Sequence, residues 1–212
     1  MSPRIPLALA AALLALTACE PVSVDPGGTT APPASTKDAK NASAQLAKLT
    51  EAKAGSMAGY SREKFPHWRD TGSNCDVRDS VLKRDGKNVK FSGCNVVAGT
   101  WTSLYDGKVL NSPTKVDIDH MVPLANAWRS GASKWTTDKR GDFANDLDHP
   151  QLIAVSAGSN RSKGDQDPST WKPTDTGHWC EYAQDWIAVK TTWKLTVTDK
   201  EKSALADMLE KC

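Results

Sequence analysis

Apolar residues change their spacing several times along the chain, and each change marks an element. Leu7 to Leu16 is a continuous apolar stretch too short to span a bilayer. From Glu20 to about Ser43 periodicity disappears into Pro, Gly, Thr, Ser and Ala. A short helix is predicted around Ala42 to Ala54, with Leu46 and Leu49 as its only apolar pair. Gly59 to Trp68 is polar and aromatic, and Pro66 denies it a continuous helix. Asp85-Gly86 is a hairpin turn dipeptide with Val89 and Phe91 alternating after it, although Asp76 to Lys83 reads equally well as a short helix. Val96 to Leu104 and Lys108 to Leu110 form a second hairpin around Tyr105-Asp106-Gly107, and it leads into a short strand from Lys115 to Asp119. Pro123 ends that strand because it has no N–H for a ladder.

Helical spacing dominates afterwards. Leu124 to Arg129 is a helix stopped at Gly131. Thr136 or Thr137 caps another that reaches about Leu147, with Phe143 and Leu147 on one face. Leu152-Ile153-Ala154-Val155 suits a buried strand, and Ser156 or Ser159 then caps a helix carrying Asn160. Prolines make a loop from Asp165 to Asp175, with Trp171 as an inward anchor. His178 to Trp193 spaces Tyr182, Trp186, Val189 and Trp193 along one stripe. Thr198 to Glu201 is a capping box for a last helix with Leu205, Met208, Leu209 and Cys212. The fold class is α+β, with hairpins first and an antiparallel helical hairpin last.

With 212 residues, one compact domain plus disposable ends is expected. Arg4, the apolar stretch and Leu16-Thr17-Ala18-Cys19 read as a signal peptide over residues 1–18 with a lipobox, so Cys19 is the expected lipidation site. Residues 19–43 then form a tether and residues 44–212 the domain. The chain is expected to be exported, anchored by lipid to the outer face of a bacterial cell membrane or secreted, with no transmembrane helix. In that compartment the remaining Cys75, Cys94, Cys180 and Cys212 favour disulfides over zinc, since they lack Cys-x-x-Cys spacing. A turn between Cys75 and Cys94 pairs those two, and the antiparallel helices bring Cys180 to Cys212. A net charge of only +2 excludes a polycation that binds nucleic acid by bulk charge, so any phosphate attraction must be local.

The candidate chemistry lies in Asp117-Ile118-Asp119-His120-Met121-Val122-Pro123 and Asn160-Arg161-Ser162-Lys163-Gly164-Asp165. Read with their flanks, they give strand, connection, strand and helix. Both pieces resemble the HNH (ββα-metal) endonucleases, and more closely the nuclease domain of GmrSD-type modification-dependent restriction enzymes and their small exported bacterial relatives. The resemblance runs from about Gly59 to Cys212 and implies a ββα-metal core. It also implies a divalent cation, Mg²⁺ or Mn²⁺, on Asp119 and Asn160, and His120 as the general base. These residue types suit that chemistry, since an imidazole can accept a proton near pH 7, and carboxylate and amide oxygens are hard ligands. The middle residue of the HNH set is assigned to Asn145, with Asp148 and His149 as alternatives nearer the second strand. Arg161 is expected at the reacting phosphate, and Lys163 beside it as a second substrate contact. Arg62, Lys64 and Arg69 are candidates for a phosphate-facing patch.

The expected activity is hydrolysis of phosphodiester bonds in nucleic acid, DNA first, by a monomer. The competing expectation is a non-catalytic surface lipoprotein that keeps the ββα scaffold as a binding module.

Overall fold

The computed structural model describes Met1 and residues 36–212; the expected signal peptide, Cys19 and most of the expected tether lie outside the described residues. Helix α1 (Thr36–Lys48) buries Ala42 and Leu46, so packed helix begins inside the stretch expected as tether. It stops short of Ala54 because the chain turns to pair with another segment: Ala52 donates its N–H to Val197 at 2.9 Å, and Glu51 bridges Val197 in parallel. A 3-10 turn, Arg62–Lys64, interrupts the following irregular stretch, and Phe65 anchors it in the core.

Strands β1 (Asp70–Gly72) and β2 (Cys75–Asp76) make a minimal antiparallel pair. Asp76 then caps α2 (Val77–Asp85) in a reciprocal box with Asp79, and Val77, Val81 and Leu82 are buried. The hairpin expected at Asp85-Gly86 is therefore replaced by the helical alternative, and Asp85 accepts the Ala154 N–H at 2.9 Å. The turn lies later, between β3 (Lys87–Ser92) and β4 (Asn95–Thr102), where Gly93 has φ +59°. Glycine occupies that left-handed region without a Cβ clash. Helix and hairpin together still return the chain, so Cys75 and Cys94 are bonded, with Cα atoms 5.2 Å apart. Strand β5 (Val109–Leu110) pairs with β4 around the expected Tyr105-Asp106-Gly107 turn.

Strand β6 (Val116–His120) pairs antiparallel with β7 (Leu152–Ser156), so that Val116 lies opposite Ser156 and His120 opposite Leu152. Between them run α3 (Leu124–Arg129) and α4 (Thr137–Ala144). Helix α4 ends before the expected Leu147, which is 38% exposed, because Asp146 turns the chain by accepting the N–H groups of Asp148 and His149. Ser156 caps α5 (Ala157–Lys163), which packs on both strands. The chain finishes with α6 (Trp179–Trp193) and α7 (Asp199–Leu209), the latter started by the expected Thr198 and Glu201 box. Cys180 and Cys212 are bonded across this helical pair, with Cα atoms 5.1 Å apart.

The described residues thus form an α+β fold of seven α-helices and three small sheets. Two apolar clusters hold it. Ile118, Leu152, Trp101 and the α2 face fill one, while Met121, Val122, Trp186 and the helical hairpin fill the other. Strand β6 and the turn after it touch both clusters, which fixes the backbone at Asp119 and His120. No helix among the described residues is long and apolar enough to cross a membrane.

Candidate active site

Strand β6 delivers Asp119 and His120 side by side, and their surroundings differentiate them. Asp119 is 8% exposed. Its Oδ2 accepts the Tyr105 hydroxyl at 2.7 Å and the Lys163 ammonium at 2.6 Å. Its Oδ1 is bonded to no other described residue. His120 is 3% exposed, and its Nε2 lies 3.0 Å from the Ala144 carbonyl oxygen. A carbonyl only accepts, so Nε2 carries the proton and Nδ1 keeps the lone pair. Burial drives the His120 pKa down to about 3; the Ala144 carbonyl opposes this, and the charges of Arg62 and Lys163 add to it. The imidazole is therefore neutral at pH 7, with Nδ1 able to accept a proton.

Asn160 sits in the middle of α5, and its Nδ2 donates to Asp117 Oδ2 at 3.1 Å. The carboxylate acceptor fixes the amide orientation, and Oδ1 is left without a bond to another described residue. Asp119, His120 and Asn160 line one cleft of about 260 Å³, together with Tyr60, Arg62 and Asp165.

Other sequence candidates lie elsewhere. Lys163 is 0% exposed; it holds Asp119 and the His120 carbonyl oxygen (2.9 Å) instead of facing the cleft. It is drawn inward because its stem ends between the rings of Tyr105 and Trp186, at 5.7 and 5.8 Å. Arg161 is exposed and bonded to no other described residue, but it does not line the cleft. Asn145 caps α4 and ties the distant Pro66 to Arg69 segment to it, accepting the Arg69 N–H at 2.9 Å and donating to the Pro66 carbonyl at 2.7 Å. Its side chain makes no bond to the turn after His120. His149 is 44% exposed on its side chain and is held by Asp146 at 2.9 Å, while Asp148 is exposed. Arg69 is paired with Asp142 at 2.7 Å. Lys64 lies over the Trp128 ring at 5.3 Å.

The residue that steadies the turn carrying His120 is Gln151, which no sequence motif singles out. It is fully buried. Its amide accepts the Val122 N–H at 3.1 Å and donates to the Val122 carbonyl at 3.0 Å, while its own carbonyl accepts the Met121 N–H at 2.7 Å. Its one signal is position, directly before the apolar run of β7. Tyr105 escapes sequence reasoning as well, since a tyrosine in a hairpin turn announces nothing until its hydroxyl is seen on Asp119. Its neighbour Asp106 accepts the hydroxyls of Ser156 (2.7 Å) and Ser159 (2.9 Å) at the start of α5. Burial acts to raise the Asp106 carboxyl pKa, but these bonds and Lys108 hold it well below the usual range.

A divalent metal ion implied by this arrangement can be tested against the donors present. Asp119 Oδ1 and Asn160 Oδ1 are hard oxygens in one cleft, neither bonded to another described residue, and they fit Mg²⁺ or Mn²⁺ with water and phosphate completing the shell. No group of three or more His, Cys, Asp or Glu able to hold a metal ion occurs among the described residues, so Asp119 and Asn160 would be the protein's ligands to such an ion.

No solved structure matches the chain. An "Uncharacterized secreted protein" of Arthroderma benhamiae is 47% identical over 200 residues, covering 94% of this chain and 98% of that protein. Residues 74–208, which contain every element from α2 through most of α7, match the family described as GmrSD restriction endonucleases, C-terminal domain, and the chain belongs to that family.

Proposed function

We propose that the protein is an HNH-type endonuclease that hydrolyses phosphodiester bonds of DNA as a monomer. In this reading β6, β7 and α5 are its ββα-metal core. The supporting observation is the cleft itself: an imidazole with a fixed tautomer shares it with two uncommitted oxygen ligands. Membership in a family of nuclease domains points the same way.

His120 Nδ1 takes a proton from a water as the water oxygen bonds to phosphorus. The bond from phosphorus to the 3′ oxygen breaks, solvent returns a proton to that oxygen, and 5′-phosphate and 3′-hydroxyl ends result. Ala144 holds the imidazole by Nε2, and Gln151 holds the turn behind it. Lys163 and Tyr105 occupy Asp119 Oδ2, so only Oδ1 remains to bind a cation. Mg²⁺ or Mn²⁺ on Asp119 and Asn160 would stabilise negative charge on the phosphate and leaving oxygens.

The test is plasmid DNA, and RNA beside it, incubated with the full chain in Mg²⁺, Mn²⁺ or chelator. Cleavage that needs the metal and is lost in His120→Ala supports the reading. Intact plasmid and RNA under every condition, or equal cutting by His120→Ala, refutes it.

Export is part of the same proposal, supported by two disulfides and by a relative described as secreted. Anchoring through Cys19 predicts that Cys19→Ser moves the protein from the membrane fraction to the medium.

A further inference from the structure

We propose that Trp68 is the positioning residue that holds the His120 imidazole at its working angle, a role that rests on the nuclease reading above. Its indole lies against the imidazole, with ring centroids 5.9 Å apart and planes inclined by 33°. His120 lines the cleft and Trp68 does not, so the indole backs the imidazole and stays out of the path of substrate. The contact between Nε2 and the Ala144 carbonyl fixes one edge of the ring. One bond leaves the ring free to pivot about it, and a pivot would tilt the Nδ1 lone pair away from an attacking water. Contact on the ring face removes that freedom. The His67 ring closes the corner, 5.5 Å from the indole and 6.4 Å from the imidazole.

Trp68 reaches this place in a conformation that its residue type disfavours. Its φ is +59°, in the left-handed region where a bulky side chain crowds the backbone. The other non-glycine residues with positive φ among the described residues have local reasons for it. Ser73 and Asn74 form the two-residue turn between β1 and β2, Asn88 is of a type that tolerates the region, and Lys194 stops α6. Trp68 is neither in a hairpin turn nor at an α-helix end, and it is held from outside. Asn145 spans it, accepting the Arg69 N–H and donating to the Pro66 carbonyl. Arg69 is held in turn by Asp142 and by the Asp138 carbonyl at 3.3 Å. Asn145 directly follows Ala144, so the end of α4 grips both the imidazole edge and the segment that covers the imidazole face. Backbone strain over-determined by its surroundings beside a reacting group is a device of preorganisation.

The experiment compares the full chain with Trp68→Ala, Trp68→Phe and Trp68→Gly. Cleavage of a labelled DNA duplex in Mg²⁺ gives kcat and KM, nitrogen NMR reads the two His120 ring nitrogens, and thermal melts read stability. Trp68→Ala should lower kcat by about 100-fold with KM nearly unchanged, the scale for misplacing a reacting group by about 1 Å. The His120 nitrogen shifts, well separated in wild type because only Nε2 is protonated, should converge as the ring loosens. Trp68→Phe keeps a ring face and should return kcat to within about threefold of wild type. Trp68→Gly accepts the positive φ, so it should melt above Trp68→Ala while cutting just as slowly. Cleavage by Trp68→Ala within about threefold of wild type overturns the assignment while leaving the nuclease reading intact. A fall in kcat that tracks the melting temperatures, with Trp68→Gly faster than Trp68→Ala and His120 shifts unchanged, also overturns it, leaving Trp68 a packing role alone. A wild-type chain that cuts neither DNA nor RNA overturns both.

Discussion

Lys163→Met removes an ammonium from the interior while keeping most of its aliphatic stem. The Lys163 side chain is 0% exposed and the Asp119 side chain 10% exposed, with 2.6 Å between nitrogen and oxygen. Burial pushes the ammonium pKa down, and the Asp119 carboxylate opposes that shift. In the variant the carboxylate keeps Tyr105 but loses its counter-charge, and the His120 carbonyl loses a donor. Breaking a buried pair by removing one member costs about 3–5 kcal/mol. For a domain of this size that corresponds to a melting temperature lower by roughly 6–20 °C. Urea and thermal unfolding followed by tryptophan fluorescence read this directly, since Trp186 lies 5.8 Å from the ammonium. Adding Asp119→Asn should return part of the loss, because no charge is then stranded, with a coupling of about 1–3 kcal/mol. Saturating Mg²⁺ should raise the melting temperature of Lys163→Met more than that of wild type, by supplying positive charge at Asp119. A variant within about 0.5 kcal/mol of wild type, or strictly additive losses in the double variant, would refute the account of Lys163 as the counter-charge that Asp119 needs.

Other outcomes follow from the same contacts. His120 titrates at about 3 when folded, against about 6.5 when unfolded, so below the higher value the unfolded chain binds the extra proton. Stability should therefore fall as pH drops from about 6.5 towards 3, by about 1.4 kcal/mol per pH unit from this group, and His120→Gln should flatten the slope in urea melts at pH 6, 5 and 4. An equal slope in both proteins would be the contrary result. Gln151→Leu leaves the Val122 N–H and carbonyl without partners and should cost about 2–4 kcal/mol, with faster hydrogen exchange at Val122 and lower cleavage; native exchange there would count against the brace. Cys212→Ser opens a loop of 32 residues in sequence separation and should cost about 2–5 kcal/mol in non-reducing melts, whereas an unchanged melt would remove the bond's stabilising part.

Local rules read much of this fold from the sequence. The Thr198 capping box, the 3.6-residue stripe of α6 and the apolar run of β7 each specify an element by contacts within a few residues, and each appears. Asp85-Gly86 misled because its turn chemistry competes with the Asp76 cap and with the burial of Val81 and Leu82, and the helix prevails. The sequence places Asp119 and His120 at the end of one strand, but their lining of one cleft is seen only in the structure, because successive strand side chains alternate faces. The direction of Lys163 did not follow from the sequence, because a lysine by default belongs to solvent and only Tyr105, Trp186 and Asp119 together make the interior habitable for it. Asn145 drew attention by residue type, whereas the bracing amide turned out to be Gln151, identified by two hydrogen bonds to one distant residue.

Tyr105 and Asp106 are consecutive, yet one grips the carboxylate on β6 and the other grips the hydroxyls that open α5. That corner of the β4–β5 turn acts as a gauge block between the two halves of the cleft. Lengthening the turn by even one residue would shift both halves at once, and a fragment trimmed to β6, β7 and α5 alone would have no such spacer. Miniaturised versions of this domain must therefore carry the β4–β5 hairpin with them.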